Sequence, residues 1–274
     1  MVDQASKAEA FRRLHEKGVF VVANAWDAGS ARLLAGVGFA ALATTSAGLA
    51  TSLGRPDGHG LVTRDEALAN AAAIAAGTSL PVTADLESGY GGTGQEVADT
   101  IRLAAQAGLA GASVEDTTGD PGAPVRDVAE AVDRVTAAVE AARSVSSGFV
   151  LTARADNFLY GRADLADTIA RLQAFEAAGA DVLYAPGLPD AAAIRAVCSS
   201  VGRPVNVLAS PAAGSVAELA ELGVRRVSLG SAFARAALGG LLAAASEVSE
   251  HGTFGFLAGT PAYARVNSLF ESDR

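Results

Sequence analysis

The chain has 274 residues, half of them apolar, with 30 glycines and only 19% charged residues. That profile excludes a disordered or collagen-like chain and fits a soluble α/β protein built from closely packed small side chains. A net charge of -9 without any basic run speaks against a nucleic-acid partner, and a single cysteine, Cys198, excludes an internal disulfide framework and a cysteine-rich zinc site.

The N-terminus lacks a charged segment followed by an apolar one, and no uninterrupted apolar run approaches 18 residues. A cytoplasmic protein with no membrane partner is therefore expected. Residues 4–17 read as a helix that closes one end of the fold. From residue 19 onward, short apolar runs alternate with alanine-rich helical stretches. The runs predict strands at 19–23, 39–44, 81–85, 111–115, 149–153, 181–184, 204–208 and 225–229. Helices are predicted at 28–36, 64–77, 94–107, 127–146, 164–178, 190–200, 215–221 and 231–248. Gly108, Gly179 and Gly223 follow helices where C-caps are needed. An eightfold βα alternation over this length predicts one (β/α)8 barrel domain spanning 1–274. A doubly wound sheet is the rival, but Asn24-Ala-Trp-Asp27 stands where its glycine-rich phosphate turn belongs.

Charge recurs where these strands stop. The run Pro81-Val-Thr-Ala-Asp85 leads into Leu86-Glu87-Ser-Gly89, Val114 leads into Glu115-Asp116, and Thr152-Ala153 leads into Arg154-Ala-Asp156. In a parallel barrel such ends converge on one mouth. Lysine occurs only at Lys7 and Lys17 and histidine only at His15, His59 and His251, so a Schiff base, a histidine metal cage and a serine triad have almost no material. Carboxylate and arginine chemistry remains. Asp85, Glu87 and Glu115 offer oxygens for Mg²⁺, with Mn²⁺ as the alternative ion; Asp85 binds directly and the glutamates hold its water shell. Arg154 is the candidate for gripping an anionic 2-oxo acid, against a structural salt bridge with Asp156. Asn206 offers an amide to a substrate carboxylate or caps a loop. The small loop 44–48, with Ser46, Ala47 and Gly48, offers a hydroxyl and backbone N–H groups to an oxyanion, or is only a tight turn. Asp57, in a glycine-rich loop, can reach over the same mouth, or the stretch is an ordinary surface loop. Ser228-Leu-Gly230-Ser231 before the last barrel helix leaves a phosphate site as a minor alternative.

These residues resemble the isocitrate lyase and phosphoenolpyruvate mutase superfamily from Phe11 to Phe270. The likeness rests on Asn24-Ala-Trp26-Asp27, Thr45-Ser46-Ala47-Gly48, Gly54-Arg-Pro-Asp57, Asp85-Leu-Glu87-Ser-Gly89-Tyr90-Gly91, Val114-Glu115-Asp116, Thr152-Ala-Arg154-Ala-Asp156, Pro204-Val-Asn206 and Arg226-Val-Ser228-Leu-Gly230. The resemblance implies a barrel whose eighth helix is exchanged with a second copy, usually in a tetramer. It implies a Mg²⁺ site in which Asp85 is the direct ligand and Glu87 and Glu115 hold bound waters. It also implies that Ser46, Ala47, Gly48, Arg154 and Asn206 contact the substrate, with Asp57 near its reacting end. Asp57, Arg154 and Glu115 are thus the expected catalytic residues.

Residues 117–125 depart from the pattern. Isocitrate and methylisocitrate lyases carry a Lys-Lys/Arg-Cys-Gly-His motif there, and the carbon-phosphorus members carry a lysine and an Asn-Ser pair. Neither is present in Thr117-Thr-Gly-Asp-Pro-Gly-Ala-Pro-Val125. The expectation is a Mg²⁺-dependent lyase or decarboxylase of a small 2-oxo or 2-hydroxy carboxylate, acting through an enolate-like intermediate. Phosphonopyruvate-type carbon-phosphorus chemistry is the enzymatic alternative, and a non-catalytic protein that binds a 2-oxo dicarboxylate is the other. The apolar residues within 252–272, a helical extension, are expected to be covered by another subunit or by the parent barrel.

Overall fold

The computed structural model describes residues 3–145 and 148–271. Eight parallel strands close into a barrel in chain order: β1 Phe20–Asn24, β2 Ala41–Ala43, β3 Val82–Asp85, β4 Gly111–Glu115, β5 Val150–Arg154, β6 Val182–Tyr184, β7 Val205–Leu208 and β8 Arg226–Ser228. The helices are α1 Gln4–Leu14, α2 Ala28–Val37, α3 Ser46–Ser52, α4 Arg64–Ala76, α5 Gly94–Gln106, α6 Val128–Val145, α7 Leu165–Ala177, α8 Ala191–Ser200, α9 Val216–Glu221, α10 Ala232–His251 and α11 Tyr263–Glu271. The fold is the expected (β/α)8 barrel, and Ser146, the expected last residue of α6, lies outside the described residues.

Helix starts follow capping chemistry. Thr63, Thr93 and Ser215 each accept from the backbone N–H of a glutamate three residues on, which returns its carboxylate to the cap. Outside the strands, Ile74, Ile101, Phe175 and Ile194 bury the inward faces of the helices against Leu42, Leu151 and Leu183. Phe11 of α1 is fully buried at the barrel's lower end among Val22, Val150 and Val182. A Cβ on Gly111 would lie 2.5 Å from the Val150 carbonyl and 3.2 Å from the Phe11 ring, so only glycine lets α1 seat there.

Three details depart from the sequence reading. The loop expected at 44–48 becomes α3, because Thr45 caps it by accepting from the Gly48 N–H. The first helix stops at Leu14 rather than residue 17, since Gly18 takes a left-handed conformation (φ 68°) as the chain turns into β1. The extension at 252–272 is broken at Pro261 into a 3-10 turn, Gly255–Gly259, and α11; residue 272 lies outside the described residues. Helix α11 leans on α2 of its own chain, where the Arg32 guanidinium donates to the Phe270 carbonyl. By contrast α10 buries only Ala234, and Leu241 and Leu242 are 63% and 67% exposed.

Candidate active site

The C-terminal strand ends open on a cavity of about 200 Å³ whose wall includes Ser46, Asp85, Arg154, Tyr184 and Asn206. Arg154 is its hub. Register pairs it with Glu115 on β4 and Tyr184 on β6. Its Nη1 meets Asp85 Oδ1 at 3.0 Å, and its Nη2 meets Glu115 Oε2 at 3.0 Å and Asp156 Oδ2 at 2.8 Å. The Tyr184 ring lies below it, 5.3 Å from the guanidinium carbon. Both sequence readings of Arg154 therefore meet in one place: it pairs with Asp156 and it faces the cavity.

Deeper residues hold this hub in position. The Asp156 N–H donates to Asp116, whose other oxygen pairs with Arg171 at 3.1 Å; all three residues are buried. Burial pushes the Asp116 carboxyl up to about 6. Glu115 and Asp156, both withdrawn from solvent, have carboxyls raised by burial, and the Arg154 charge only partly offsets this. Thr117 Oγ1 donates to the second Glu115 oxygen at 2.8 Å.

Glu87 sits in a loop under backbone strain. Among the described residues, Glu87 and Tyr90 are the non-glycine residues with positive φ, 49° and 53°. Arg134 of α6, 3% exposed, clamps this loop by donating through Nη2 to the carbonyls of Ser88 and Gly91 at 2.6 and 2.7 Å. The Tyr90 hydroxyl donates to Glu87 Oε1 at 3.0 Å. The three expected metal residues are accordingly not gathered into a cage. Among the described residues no group of three or more His, Cys, Asp or Glu side chains is placed to hold an ion. Asp85 and Glu115 share Arg154, and Glu87 turns to Tyr90.

The turn after β2 braces Asp85. The Ser46 N–H and hydroxyl both donate to Asp85 Oδ2, at 3.2 and 2.9 Å. Ala47 lines the cavity, while Gly48 lies behind it against Trp26 with its N–H spent on the α3 cap. Asp57 is exposed and is not part of the cavity wall; its carboxyl is raised by partial desolvation and by the charge of Asp85. Asn206 lines the floor; its Oδ1 accepts from Arg226 and its Nδ2 donates to Ser228, each at 2.9 Å.

The family model for phosphoenolpyruvate phosphomutase matches residues 11–249. The chain belongs to the phosphoenolpyruvate phosphomutase family. That places it in the isocitrate lyase superfamily, as the motifs imply. It is 32% identical over 208 residues to the 2-methylisocitrate lyase of Escherichia coli (strain K12), covering 73% of this chain and 69% of that one. It is likewise 32% identical over 238 residues to the oxaloacetate decarboxylase of Pseudomonas entomophila (strain L48), covering 84% and 80%. A crystal structure of a candidate lyase/mutase from Burkholderia cenocepacia J2315 superposes with a TM-score of 0.95 at 52% identity, covering 98% and 97%. Relatives in the family thus include lyases and decarboxylases of small carboxylates.

The loop after β4 shows a feature that residue types alone did not reveal. Thr117 bridges Val125, the Thr118 N–H donates to the Pro124 carbonyl, and Thr118 Oγ1 donates to the Ala123 carbonyl at 2.7 Å. Residues 117–125 thus fold into a closed hairpin that satisfies its own polar groups. Sequence reasoning missed the Arg134 clamp and the buried Arg226, because an arginine inside an alanine-rich helix or a short strand reads as a solvated charge.

Proposed function

We propose that the protein is a Mg²⁺-dependent lyase or decarboxylase acting on a small 2-oxo or 2-hydroxy carboxylate. The observation that carries this reading is the Asp85–Arg154 pair, two opposite charges 3.0 Å apart on the wall of a small cavity at the barrel mouth. Such a pair presents a ligand for a cation beside a ligand for an anion, and a 2-oxo acid with its ion needs both. The donor set fits a hard ion: Asp85, Glu87, Glu115 and Asp57 are oxygen-only and share a single nearby arginine. After burial, the charge of Asp85 contributes to raising the carboxyls of both Glu87 and Asp57, so the site holds more negative charge than Arg154 balances. Since no three of the described acidic side chains gather into a cage, the site suits a water-shelled ion on Asp85, with Mn²⁺ as the substitute.

Bound there, the ion would act as a Lewis acid on the oxygen beside the breaking bond. The chain's own residues do the rest. Arg154 grips the substrate carboxylate, Ser46 orients Asp85, and Ala47 and Asn206 shape the wall and floor. In a decarboxylation, breaking the C–C bond would release carbon dioxide and leave the bond's electron pair on the enolate, which takes a proton from solvent to give the 2-oxo acid. Among the residues described, the hairpin at 117–125 brings no cysteine, histidine or lysine to the rim.

A second reading, carbon-phosphorus chemistry, is favoured by the phosphomutase family model itself, with Asp57 near the transferred group. Incubating the protein with Mg²⁺ and a panel comprising oxaloacetate, 2-alkylmalates and phosphonopyruvate, with products followed by NMR, tests both. The proposal expects pyruvate or another 2-oxo acid from a carbon acid. Inorganic phosphate or phosphoenolpyruvate from phosphonopyruvate would favour the second reading, and no turnover of any acid with tight binding would favour a binding protein.

For assembly we propose that a second copy covers the exposed face of α10, as in the helix exchange the resemblance implies, in a dimer or tetramer. Leu241, Leu242, Phe254 and Leu257 support this, being each more than half exposed. Among the described residues no helix is long and apolar enough to cross a membrane. A cytoplasmic location belongs to the same reading.

A further inference from the structure

Arg134 of α6 is a buried cation held on terms that do not favour the fold. It is 3% exposed, and its Nε and Nη1 are buried with no hydrogen-bond partner among the described residues. The acidic side chains whose charge it feels are engaged elsewhere, Glu96 in the cap of α5 and Glu130 with Arg126. Unfilled donors on a buried guanidinium lower stability rather than raise it. What Arg134 does donate goes through Nη2 into a single loop, to the carbonyls of Ser88 and Gly91 at 2.6 and 2.7 Å.

That loop is itself unfavourable. Glu87 and Tyr90 hold φ of 49° and 53°, in the left-handed region where a side chain crowds its own backbone. The first half of the loop is tied to β4: the Leu86 N–H donates to the Ser113 carbonyl at 3.3 Å, and the Glu87 carbonyl accepts from the Glu115 N–H at 2.9 Å. The second half lies against α5, where a Cβ on Gly89 would come within 2.9 Å of Val97 and one on Gly91 would collide with Glu96. Arg134 fixes the two carbonyls that flank Gly89 and Tyr90. Held between them, Tyr90 turns its hydroxyl back to donate to Glu87 Oε1 at 3.0 Å, and among the described residues nothing donates to the other oxygen, Oε2.

Stabilising the fold explains neither the unfilled cation nor the strained loop, whereas aiming one carboxylate explains both. Resting on the functional reading above, we propose that Arg134 is a positioning residue for Glu87: by fixing the carbonyls of Ser88 and Gly91 it sets Tyr90, and Tyr90 sets the carboxylate that holds the water shell of the ion on Asp85. A glutamate in a free loop must be ordered when the ion binds. Fixing its backbone and one of its oxygens in advance removes that entropy from the binding step.

The variants that test it are Arg134→Met, Arg134→Lys, Glu87→Ala and the combination of Arg134→Met with Glu87→Ala. Methionine fills a similar volume without the charge, and Ser88 and Gly91 are partly exposed, so water can take over their carbonyls. The Tm of Arg134→Met should therefore be unchanged or higher. Its Mg²⁺ affinity, titrated calorimetrically into the whole protein, should fall about 10- to 100-fold, the range for groups that orient a metal's ligands. Arg134→Lys should recover most of that loss, because an ammonium can still donate to both carbonyls. Since Arg134 acts only through Glu87, the double variant should bind Mg²⁺ no more weakly than Glu87→Ala alone. Mg²⁺ affinity unchanged in Arg134→Met, with or without a lower Tm, or losses that multiply in the double variant, would overturn the proposal and leave the functional reading standing. A readout without any ion decides the clamp itself. The Gly89 N–H, which donates to the Leu86 carbonyl at 2.8 Å, should exchange with solvent at least about 10-fold faster in Arg134→Met. Equal exchange refutes the proposal even if no variant binds Mg²⁺. A parent protein that binds no Mg²⁺ would refute the functional reading, and the positioning role with it.

Discussion

Replacing Arg154 with lysine keeps the charge and removes the geometry. The guanidinium spans Asp85, Glu115 and Asp156 at 2.8 to 3.0 Å through two nitrogens, with side chains 1% to 19% exposed, so solvent screens these pairs little. A lysine ammonium is a point charge on a flexible stem and cannot hold three carboxylates in one plane. Losing two of the three contacts at roughly 1.5–3 kcal/mol each, partly recovered by proton uptake, should cost about 3 kcal/mol of stability in the ligand-free protein. For a chain of this size that is roughly 6–12 °C in Tm. The deficit should also depend on pH. Burial already raises the Glu115 and Asp156 carboxyls, and weaker pairing raises them further. A carboxyl raised above its unfolded value stabilises the fold when protonated and loses that contribution as pH rises through the folded value. Urea unfolding at pH 8 and 5.5 should therefore show a larger deficit at pH 8. A loss under about 1 kcal/mol, or one equal at both pH values, would refute the hub.

Four further outcomes are expected. Asp85→Ala should abolish Mg²⁺ binding in a calorimetric titration, and Glu87→Ala should weaken it less. His15, its pKa pushed down to about 3 by burial and then by Arg226, stays neutral in the fold while the unfolded chain takes up a proton near pH 6.5; stability should fall from there toward pH 3, and His15→Gln should flatten that slope in acid-unfolding curves. Deleting 252–274 should lower the oligomeric state seen by light scattering, because it removes the exposed Phe254 and Leu257. 2-Methylisocitrate should be cleaved at a rate at least about 10²-fold below a median enzyme's turnover of ~10 s⁻¹, because no cysteine stands in the hairpin at 117–125 to act as general acid.

The barrel was legible because its strands are short apolar runs that alternate with alanine-rich helical stretches, a pattern of neighbours in sequence, and because β3, β4 and β5 end in charge. Asp85, Glu115 and Arg154 could be placed at one mouth for the same reason. Their partners could not, because which carboxylate meets Arg154 depends on register between strands far apart in the chain, such as Glu115 opposite Arg154. Helix α3 escaped notice since Ser46–Ser52 is small, polar and weakly patterned, and its cap at Thr45 lacks the usual glutamate three residues on. The burial of Arg134 and Arg226 was unreadable for a related reason: it is a property of the packed barrel rather than of the residues beside them.

The most direct test of the central claim is to titrate oxalate into the protein with and without Mg²⁺. The account predicts binding that requires the ion and is lost in both Asp85→Ala and Arg154→Lys. Equal oxalate binding with and without Mg²⁺, retained in Asp85→Ala, would contradict it.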